Sequence, residues 1–420
     1  MKKQKHLIVG CGAAGLSALR EMRKLGSDDE IKLVTMENHL PYSPMSLPYL
    51  ITKRIDENNV FMAEDKFFES MQATLVKEKY VKQIDTNINQ VIYDDGQNEQ
   101  YDSLLIASGS EPILQPIMRQ SEVSGFHIMD DYLRLKELEE ESQIVIIGAG
   151  FVGMELAAAL SEAGHHVTIV APRERILRQY FDQELDEFFI KLFQNNNIKI
   201  HLSWGEVSNI KKDGHISTIQ FDSGNTIKAH MIIAAIGVAP RLSFLDNSHV
   251  KINKGIVVNK AMKSNVDNIY SAGDVTESPH LISGQYDLSL IWPSAVDQGK
   301  IAGSNMIGKN YLYKGWLSQN IFNFFGHLAI SVGEKASKNE ECLMEKNPQT
   351  MSYKKIVFRE NKIIGANFFN IDIDSGVIKY LIENKVDISG YKDLLLEKPR
   401  EVSLWLMHEA EKKQTFSLEH

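Results

Sequence analysis

The chain carries one short phrase twice. Near its start His6-Leu7-Ile8-Val9 runs into Gly10-Cys11-Gly12-Ala13-Ala14-Gly15, and later Ile144-Val145-Ile146-Ile147 runs into Gly148-Ala149-Gly150-Phe151-Val152-Gly153. Each copy is an apolar strand, then G-x-G-x-x-G, then a helix-forming stretch. The three glycines answer three demands of a bound pyrophosphate: a tight turn, close approach of the backbone to the phosphates, and close packing of helix on strand. The unbonded N–H groups at the helix start then face the negative charge. One copy alone is also what an ordinary tight strand-to-helix turn looks like. Two copies, each fed by a strand, imply two dinucleotides on one chain, and that is an arrangement for moving electrons.

A chain of 420 residues, 43% of them hydrophobic, has material for two or three globular domains. Its formal net charge of −9 leaves no basic stripe and argues against nucleic acid as a partner. No apolar run approaches the roughly 18 residues that span a bilayer. The basic start, Met1-Lys2-Lys3-Gln4-Lys5, enters a strand too soon for a signal peptide. The expectation is a cytoplasmic protein without a membrane contact. Cys11 and Cys342 are the only cysteines, which excludes a Cys-x-x-Cys pair and a zinc site and suits a reducing compartment. No metal is expected. Residues 418–420 read as an expression-tag remnant.

Apolar periodicity and turn residues predict a strand over 6–9, a helix over 14–25 ended by Gly26, and a strand over 31–35. A Pro-rich loop, Asn38-His39-Leu40-Pro41-Tyr42-Ser43-Pro44-Met45-Ser46-Leu47-Pro48-Tyr49, leads to strands near 74–81 and 90–93, and a buried strand stopped by Gly and Pro covers 101–112. A charged helix over 130–141 precedes the second fingerprint. There the order repeats: strand 144–147, helix, strand 167–170, hairpins, and a closing apolar run over 231–240. Residues 268–275 return the chain to the first domain, and a helix runs from Trp292 to about Ile307. A hairpin over 354–370 opens a small α+β region of different character.

These pieces together resemble the FAD-dependent pyridine nucleotide–disulfide oxidoreductase superfamily over about residues 5–330. The nearest branch holds ferredoxin- and rubredoxin-reductase-like flavoproteins, nitrite reductase flavin domains and coenzyme A disulfide reductases. Four ordered motifs carry the resemblance: Glu37-Asn38-His39-Leu40-Pro41-Tyr42-Ser43, the strand ending in Ala107-Ser108-Gly109, Ala272-Gly273-Asp274, and residues 148–153 followed by Glu155. The implied fold is α/β, with two Rossmann-like dinucleotide-binding domains, the second inserted in the first, and a small C-terminal α+β domain. The expected boundaries are 1–115 with 248–325 for FAD, 116–247 for NAD(P), and 326–420 for a C-terminal interface domain.

The resemblance also implies site residues. For FAD these are Gly10, Gly12, Ala13 and Ala14 at the pyrophosphate, Glu37 at the adenosine ribose, and Val81, Ala107, Ser108, Gly109, Gly273, Asp274 and Pro293 around the rest, with Trp292 near the flavin edge. Thr35 sits where some relatives carry the ribose acid, so that position stays open between the two. For NADH or NADPH they are Gly148, Gly150, Phe151, Val152, Gly153, Ala171, Arg173 and Gly237, with Glu155 approaching the nicotinamide–flavin stack.

Two departures matter. The cysteine of the coenzyme A disulfide reductases falls on Met45, and a thioether forms no thiolate. The strand over 167–170 closes on Ala171, where NAD enzymes usually place an acid. Arg173 and Arg175 follow, as holders of a 2′-phosphate or as solvated charges. The expected function is an FAD-dependent NAD(P)H oxidoreductase that exchanges electrons with an external partner and uses no protein disulfide. The partner would be a ferredoxin- or rubredoxin-like protein, an iron–sulfur subunit or a small molecule. Two alternatives stand beside it. The Leu-Pro-Tyr-Ser-Pro loop and Asn320-Ile321-Phe322-Asn323-Phe324-Phe325-Gly326 are similar to NAD-reducing flavin subunits of phenylglyoxylate-type 2-oxoacid dehydrogenases. A flavin-state-dependent binding protein, in the manner of apoptosis-inducing factor, is the other. Phe368, Phe369, Tyr380, Leu381, Trp405 and Leu406 point to a homodimer through the C-terminal region.

Overall fold

The computed structural model describes residues 3–121, 123–337 and 340–418; residues 419–420 of the tag-like end lie outside them. The chain divides into two compact units. One holds Met1–Ile113, Phe126–Glu137 and Gly237–Trp316, and the other holds Leu114–Gly125, Leu138–Ile236 and Leu317–His420.

The first unit opens with β1 (Lys5–Val9), α1 (Ala13–Lys24) and β2 (Glu30–Val34), followed by β3 (Ala73–Val76) and β4 (Ser103–Ile106). Helix α1 buries Leu16, Ala18, Leu19 and Met22 at helical spacing, ends on Arg23 and Lys24, and stops at Gly26, whose φ is +84°. The strand expected over 74–81 is two strands. Glu78 at φ +55° breaks it, and Val81–Asp85 turns away into an antiparallel sheet with Gln90–Tyr93 and Asn98–Gln100. Helix α2 (Met129–Lys136) also belongs to this unit.

The second unit repeats the plan with β5 (Gln143–Ile147), α3 (Phe151–Glu162), β6 (His166–Val170), α4 (Asp186–Asn195), β7 (Lys199–His201) and β8 (Met231–Ala234). The sheets share one neighbour order, β4-β1-β2-β3 in the first unit and β8-β5-β6-β7 in the second, all parallel. Each unit also has a three-stranded antiparallel sheet, in the second formed by Val207–Asp213, Ile216–Phe221 and Thr226–Ala229. After the second repeat the chain comes back as β9 (Ile269–Ser271), which pairs parallel with β4 and completes the first sheet. One repeat is inserted in the other.

Helix α5 (Trp292–Met306) closes the first unit against α1. A Cβ at Gly299 would stand 2.2 Å from the Ala14 carbonyl oxygen, and one at Gly303 would stand 2.6 Å from that of Ala18. The two helices meet backbone to backbone, which brings the chain after β9 close to the first fingerprint.

The rest of the second unit is a five-stranded antiparallel sheet of β10 (Gln319–Phe324), β11 (His327–Gly333), β12 (Glu341–Asn347), β13 (Ser352–Arg359) and β14 (Lys362–Phe369), in the order β10-β11-β14-β13-β12. Glu360 and Asn361, at φ +50° and +60°, make the two-residue turn between β13 and β14. Helices α6 (Ser375–Glu383) and α7 (Pro399–Leu418) follow. Here one expectation is corrected. Phe368, Phe369 and Leu381 are 0% exposed and Leu406 4%, so most of the apolar residues assigned to a subunit interface are this region's own core. Tyr380 is half-buried, and of the six only Trp405 is exposed, its ring tilted against that of Tyr391.

Candidate active site

In the first unit the three fingerprint glycines sit in three different environments. Gly10 has φ +108°, and a Cβ there would stand 2.0 Å from the Ala107 carbonyl oxygen. A Cβ at Gly15 would stand 2.2 Å from the Gly10 oxygen, whereas one at Gly12 meets nothing within 4 Å. So Gly10 and Gly15 are needed by the fold, and Gly12 leaves its side open. Gly12 is also the N-cap of α1, and neither a capping side chain nor an acidic residue occupies the first turn. An uncapped helix start with a bare backbone beside it fits a pyrophosphate. Ala13 and Ala14 begin that helix and are buried.

The other expected FAD residues gather in the same unit. Asp274 accepts a hydrogen bond from the Ser110 hydroxyl (2.8 Å). Burial pushes its carboxyl up, against the opposing effects of that bond and of His127. The turn before it is fixed by a residue with no sequence signal: fully buried Gln298 of α5 accepts the Gly273 N–H (2.8 Å) and donates to Ser278 Oγ (3.1 Å). Ser108 Oγ donates to the Arg241 carbonyl, and the Gly109 carbonyl accepts the Arg241 N–H. Val81 is a core residue, Trp292 packs on the core, and Pro293 lies in the first turn of α5.

Glu37 accepts a hydrogen bond from the Tyr42 hydroxyl (2.6 Å), which itself accepts the Met129 N–H (2.7 Å). The Leu-Pro-Tyr motif thereby ties the loop after β2 to the start of α2 and leaves Glu37 a second oxygen. Two residues before Met129, His127 faces Asp274, Arg241, Asp131 and Glu37; burial pushes its imidazole below its ordinary value, against the pull of Asp274. Sequence reasoning missed His127 because residues around it were assigned to the second domain.

The second unit repeats the cradle. Gly148 has φ +116° with a Cβ position 2.2 Å from the Ala235 carbonyl oxygen, a Cβ at Gly153 would stand 2.3 Å from the Gly148 oxygen, and a Cβ at Gly150 meets nothing within 4 Å. Gly150 caps α3 without a side-chain bond. Phe151 stacks on Tyr180 (centroids 3.7 Å apart) and on Phe322 (3.5 Å), while Val152 is exposed. Ala171 is buried, Arg173 is exposed, and Arg175, rather than standing as a solvated charge, forms a two-point pair with Asp186 (2.6 and 3.0 Å). Gly237, expected with this group, lies in the first unit at φ +125°.

Glu155 is half-buried with no protein partner among the described residues, and burial pushes its carboxyl up to about 7. An unfolded glutamate gives up its proton near 4.5. Between these values the folded state holds a proton that the unfolded chain has lost, so stability falls as pH rises from about 4.5 to 7. Glu155→Gln removes that dependence. In FAD-free protein the melting temperature of the variant should gain on the wild type from pH 5 to pH 8. Parallel curves would show an ordinary carboxyl.

The thiols are not placed for chemistry. Cys11 is buried in the first fingerprint, where burial and then the Glu37 charge push its thiol up to about 12. Cys342 is exposed on β12, and Met45 is exposed in the short turn Pro44–Ser46. Among the described residues no group of His, Cys, Asp or Glu is arranged to hold a metal, and no helix is long and apolar enough to cross a membrane.

Residues 4–299 match the family described as pyridine nucleotide-disulphide oxidoreductase. The chain is 30% identical over 414 residues to the NADH-dependent phenylglyoxylate dehydrogenase subunit epsilon of Aromatoleum evansii, covering 96% of this chain and 97% of that one. It is 28% identical to the NADH-rubredoxin oxidoreductase of Clostridium acetobutylicum, over 87% of this chain and 91% of the other. In fold it superposes on the covalent putidaredoxin reductase–putidaredoxin complex with a TM-score of 0.87 at 18% identity, covering 98% of this chain and all of that chain. The chain belongs to the pyridine nucleotide-disulphide oxidoreductase family. It is an FAD-dependent NAD(P)H oxidoreductase, and both cradles fit those ligands.

Proposed function

We propose that the chain exchanges a hydride between a nicotinamide nucleotide on the second cradle and FAD on the first, and exchanges single electrons with an external carrier of the rubredoxin, ferredoxin or iron–sulfur type. Bound FAD supplies both the hydride chemistry and the change from two-electron to one-electron transfer. The residues supply alignment. Gly10, Gly12, Ala13, Ala14, Glu37, Asp274 and their neighbours hold the flavin nucleotide; residues 148–153 hold the nicotinamide nucleotide; Glu155 lines its approach. The proposed domains are 1–115 with 248–325, 116–247, and 326–420, the last with a homodimer contact, in a cytoplasmic protein.

The observation that carries the reading is Met45 in the loop where disulfide-reducing relatives keep a thiol, with Cys11 buried and held protonated. Reductive titration of the holoprotein with dithionite should consume two electrons per FAD and develop no long-wavelength thiolate-to-flavin band. Four electrons per FAD would refute it. NAD(P)H should likewise reduce added rubredoxin or ferredoxin and leave coenzyme A disulfide untouched.

A second reading has its own support. Similarity to the epsilon subunit runs end to end, including the C-terminal region. It makes the chain the flavin subunit of a larger 2-oxoacid dehydrogenase, run towards NAD reduction. Purification of the untagged protein from its own cells separates the two: co-migrating iron–sulfur subunits favour the complex, and a chain that runs alone favours the reductase.

A further inference from the structure

The segment 177–182 follows β6 in the second unit, just beyond Ala171 and Arg173, at the place where such a fold meets the adenosine end of its nucleotide. The main-chain carbonyls of Arg178, Tyr180 and Phe181 accept hydrogen bonds from side chains of the C-terminal region. Ser331 of β11 donates to the Tyr180 carbonyl (3.0 Å), and Asn367 of β14 donates to the same oxygen (3.2 Å). Lys355 of β13 pairs with the Asp182 carboxylate (2.9 Å). Lys335, two residues past β11, donates to the carbonyls of Arg178 and of Phe181 (2.7 Å).

The register shows that this is one device. Ser331 pairs across with Asn367, and Asn367 pairs with Lys355, so the three form a transverse row over adjacent strands on one face. The next row on that face is Ala329, Phe369 and Tyr353. Ser331 is 4% and Asn367 7% exposed. A polar row buried on a sheet face is costly unless every group is bonded, and these bonds end on one short segment more than a hundred residues away in sequence. Arg175 adds an internal brace, donating to the Phe181 carbonyl (3.1 Å) while paired with Asp186. Arg173 and Arg178, by contrast, are exposed and without an ion pair among the described residues.

We propose that the row Ser331–Asn367–Lys355, together with Lys335, positions the nucleotide-reading loop, so that the C-terminal sheet sets how Arg173 and Arg178 meet the adenosine phosphate end of the nicotinamide dinucleotide. This rests on the reading that the second cradle binds NAD(P)H. These are positioning residues, and none needs to touch the nucleotide. Two consequences follow physically. Loosening the row costs nucleotide affinity without costing FAD, and whatever binds or distorts the C-terminal sheet changes nucleotide affinity.

The test uses the FAD-loaded full chain and direct binding of NADH and of NADPH to the dithionite-reduced protein, in which no hydride can pass to the flavin, with FAD content measured alongside. Asn367→Leu alters no charge and should weaken binding of the better nucleotide roughly tenfold, equivalent to about 1.4 kcal/mol. It should raise the KM and leave kcat and FAD content within experimental scatter. Lys335→Met should do the same, and Lys335→Arg, which keeps the cation, should recover most of the affinity. Trypsin cleavage after Arg178 should speed up in the weakened variants and not in Lys335→Arg. If Asn367→Leu fails to fold, Ser331→Ala, a smaller change to the same acceptor, takes its place. Unchanged nucleotide affinity in folded variants overturns the proposal. Gly150→Val serves as the control for the underlying reading: if it too binds nucleotide normally, the second cradle is not the NAD(P)H site; if it alone loses binding, the positioning proposal fails and the site stands.

Discussion

Gly150→Val is expected to leave a yellow, folded protein whose flavin NAD(P)H no longer reduces at a useful rate. The reason is the emptiness beside this glycine. A Cβ at Gly150 meets no atom within 4 Å, so the fold accepts the branched side chain, while the space it fills is the one the pyrophosphate needs. A displaced nucleotide loses the alignment of nicotinamide with flavin, and misplacement by about 1 Å costs on the order of a hundredfold in rate. Rapid-mixing measurement of flavin bleaching under anaerobic conditions reads the effect, with dithionite as a reductant that needs no nucleotide site. Normal reduction by NAD(P)H would strip the second repeat of its role and raise the standing of a binding function. Gly148→Ala is the contrasting variant. Gly148 sits at φ +116° with its Cβ position 2.2 Å from a carbonyl oxygen, so even a methyl group there should cost soluble yield rather than one ligand.

The same physics explains why so much of this fold was legible. Gly10, Gly15, Gly148 and Gly153 occupy positions where a side chain collides with backbone, and such positions leave a fixed spacing in the sequence. Strand and helix boundaries near them fell within a residue or two, because apolar periodicity and the glycine turn fix the same geometry. The inserted repeat was legible for a related reason: two similar strings of elements were followed by a lone strand, which β9 supplies to the first sheet.

What escaped was long-range. Gln298 reads as one more polar residue on a helix; only the crossing of α5 over α1, set by Gly299 and Gly303, puts it under the Gly273 turn. His127 and Met129 join the first unit through a segment that the chain order assigned to the second domain, and Tyr42 bonds to it there. In the C-terminal sheet the alternation of polar and apolar residues is clear, yet alternation cannot tell a solvated face from one covered by a distant loop. Ser331 and Asn367 therefore carry no sequence signal of their burial, while Phe368 and Phe369 looked like an interface and are core. The Arg175 pair was hidden for the same reason, since Asp186 lies a helix start away and closes the pair only in three dimensions.

Gly12→Leu carries the largest expected effect on the protein as isolated. Its Cβ position is as open as that of Gly150, so the first unit should fold, and the variant should emerge colourless. A ligand that binds only the folded state stabilises it by RT ln(1 + [L]/Kd), about 2.7 kcal/mol at a hundredfold excess over Kd. Wild-type protein stripped of flavin should therefore melt several degrees higher on addition of FAD. Gly12→Leu should melt where the stripped wild type melts and should not respond to FAD at all. This pairing separates a lost ligand from a damaged fold: a variant that melts well below stripped wild type has lost packing, and one that rises normally with FAD shows that the cradle lies elsewhere. Gly10→Ala marks the other limit, because a methyl group 2.0 Å from the Ala107 carbonyl oxygen forces β1 and β4 apart at the centre of the first sheet. Its melting temperature should fall whether or not FAD is present, and that difference between two glycines two residues apart is the signature of a site in which one holds the fold and the other holds the cofactor.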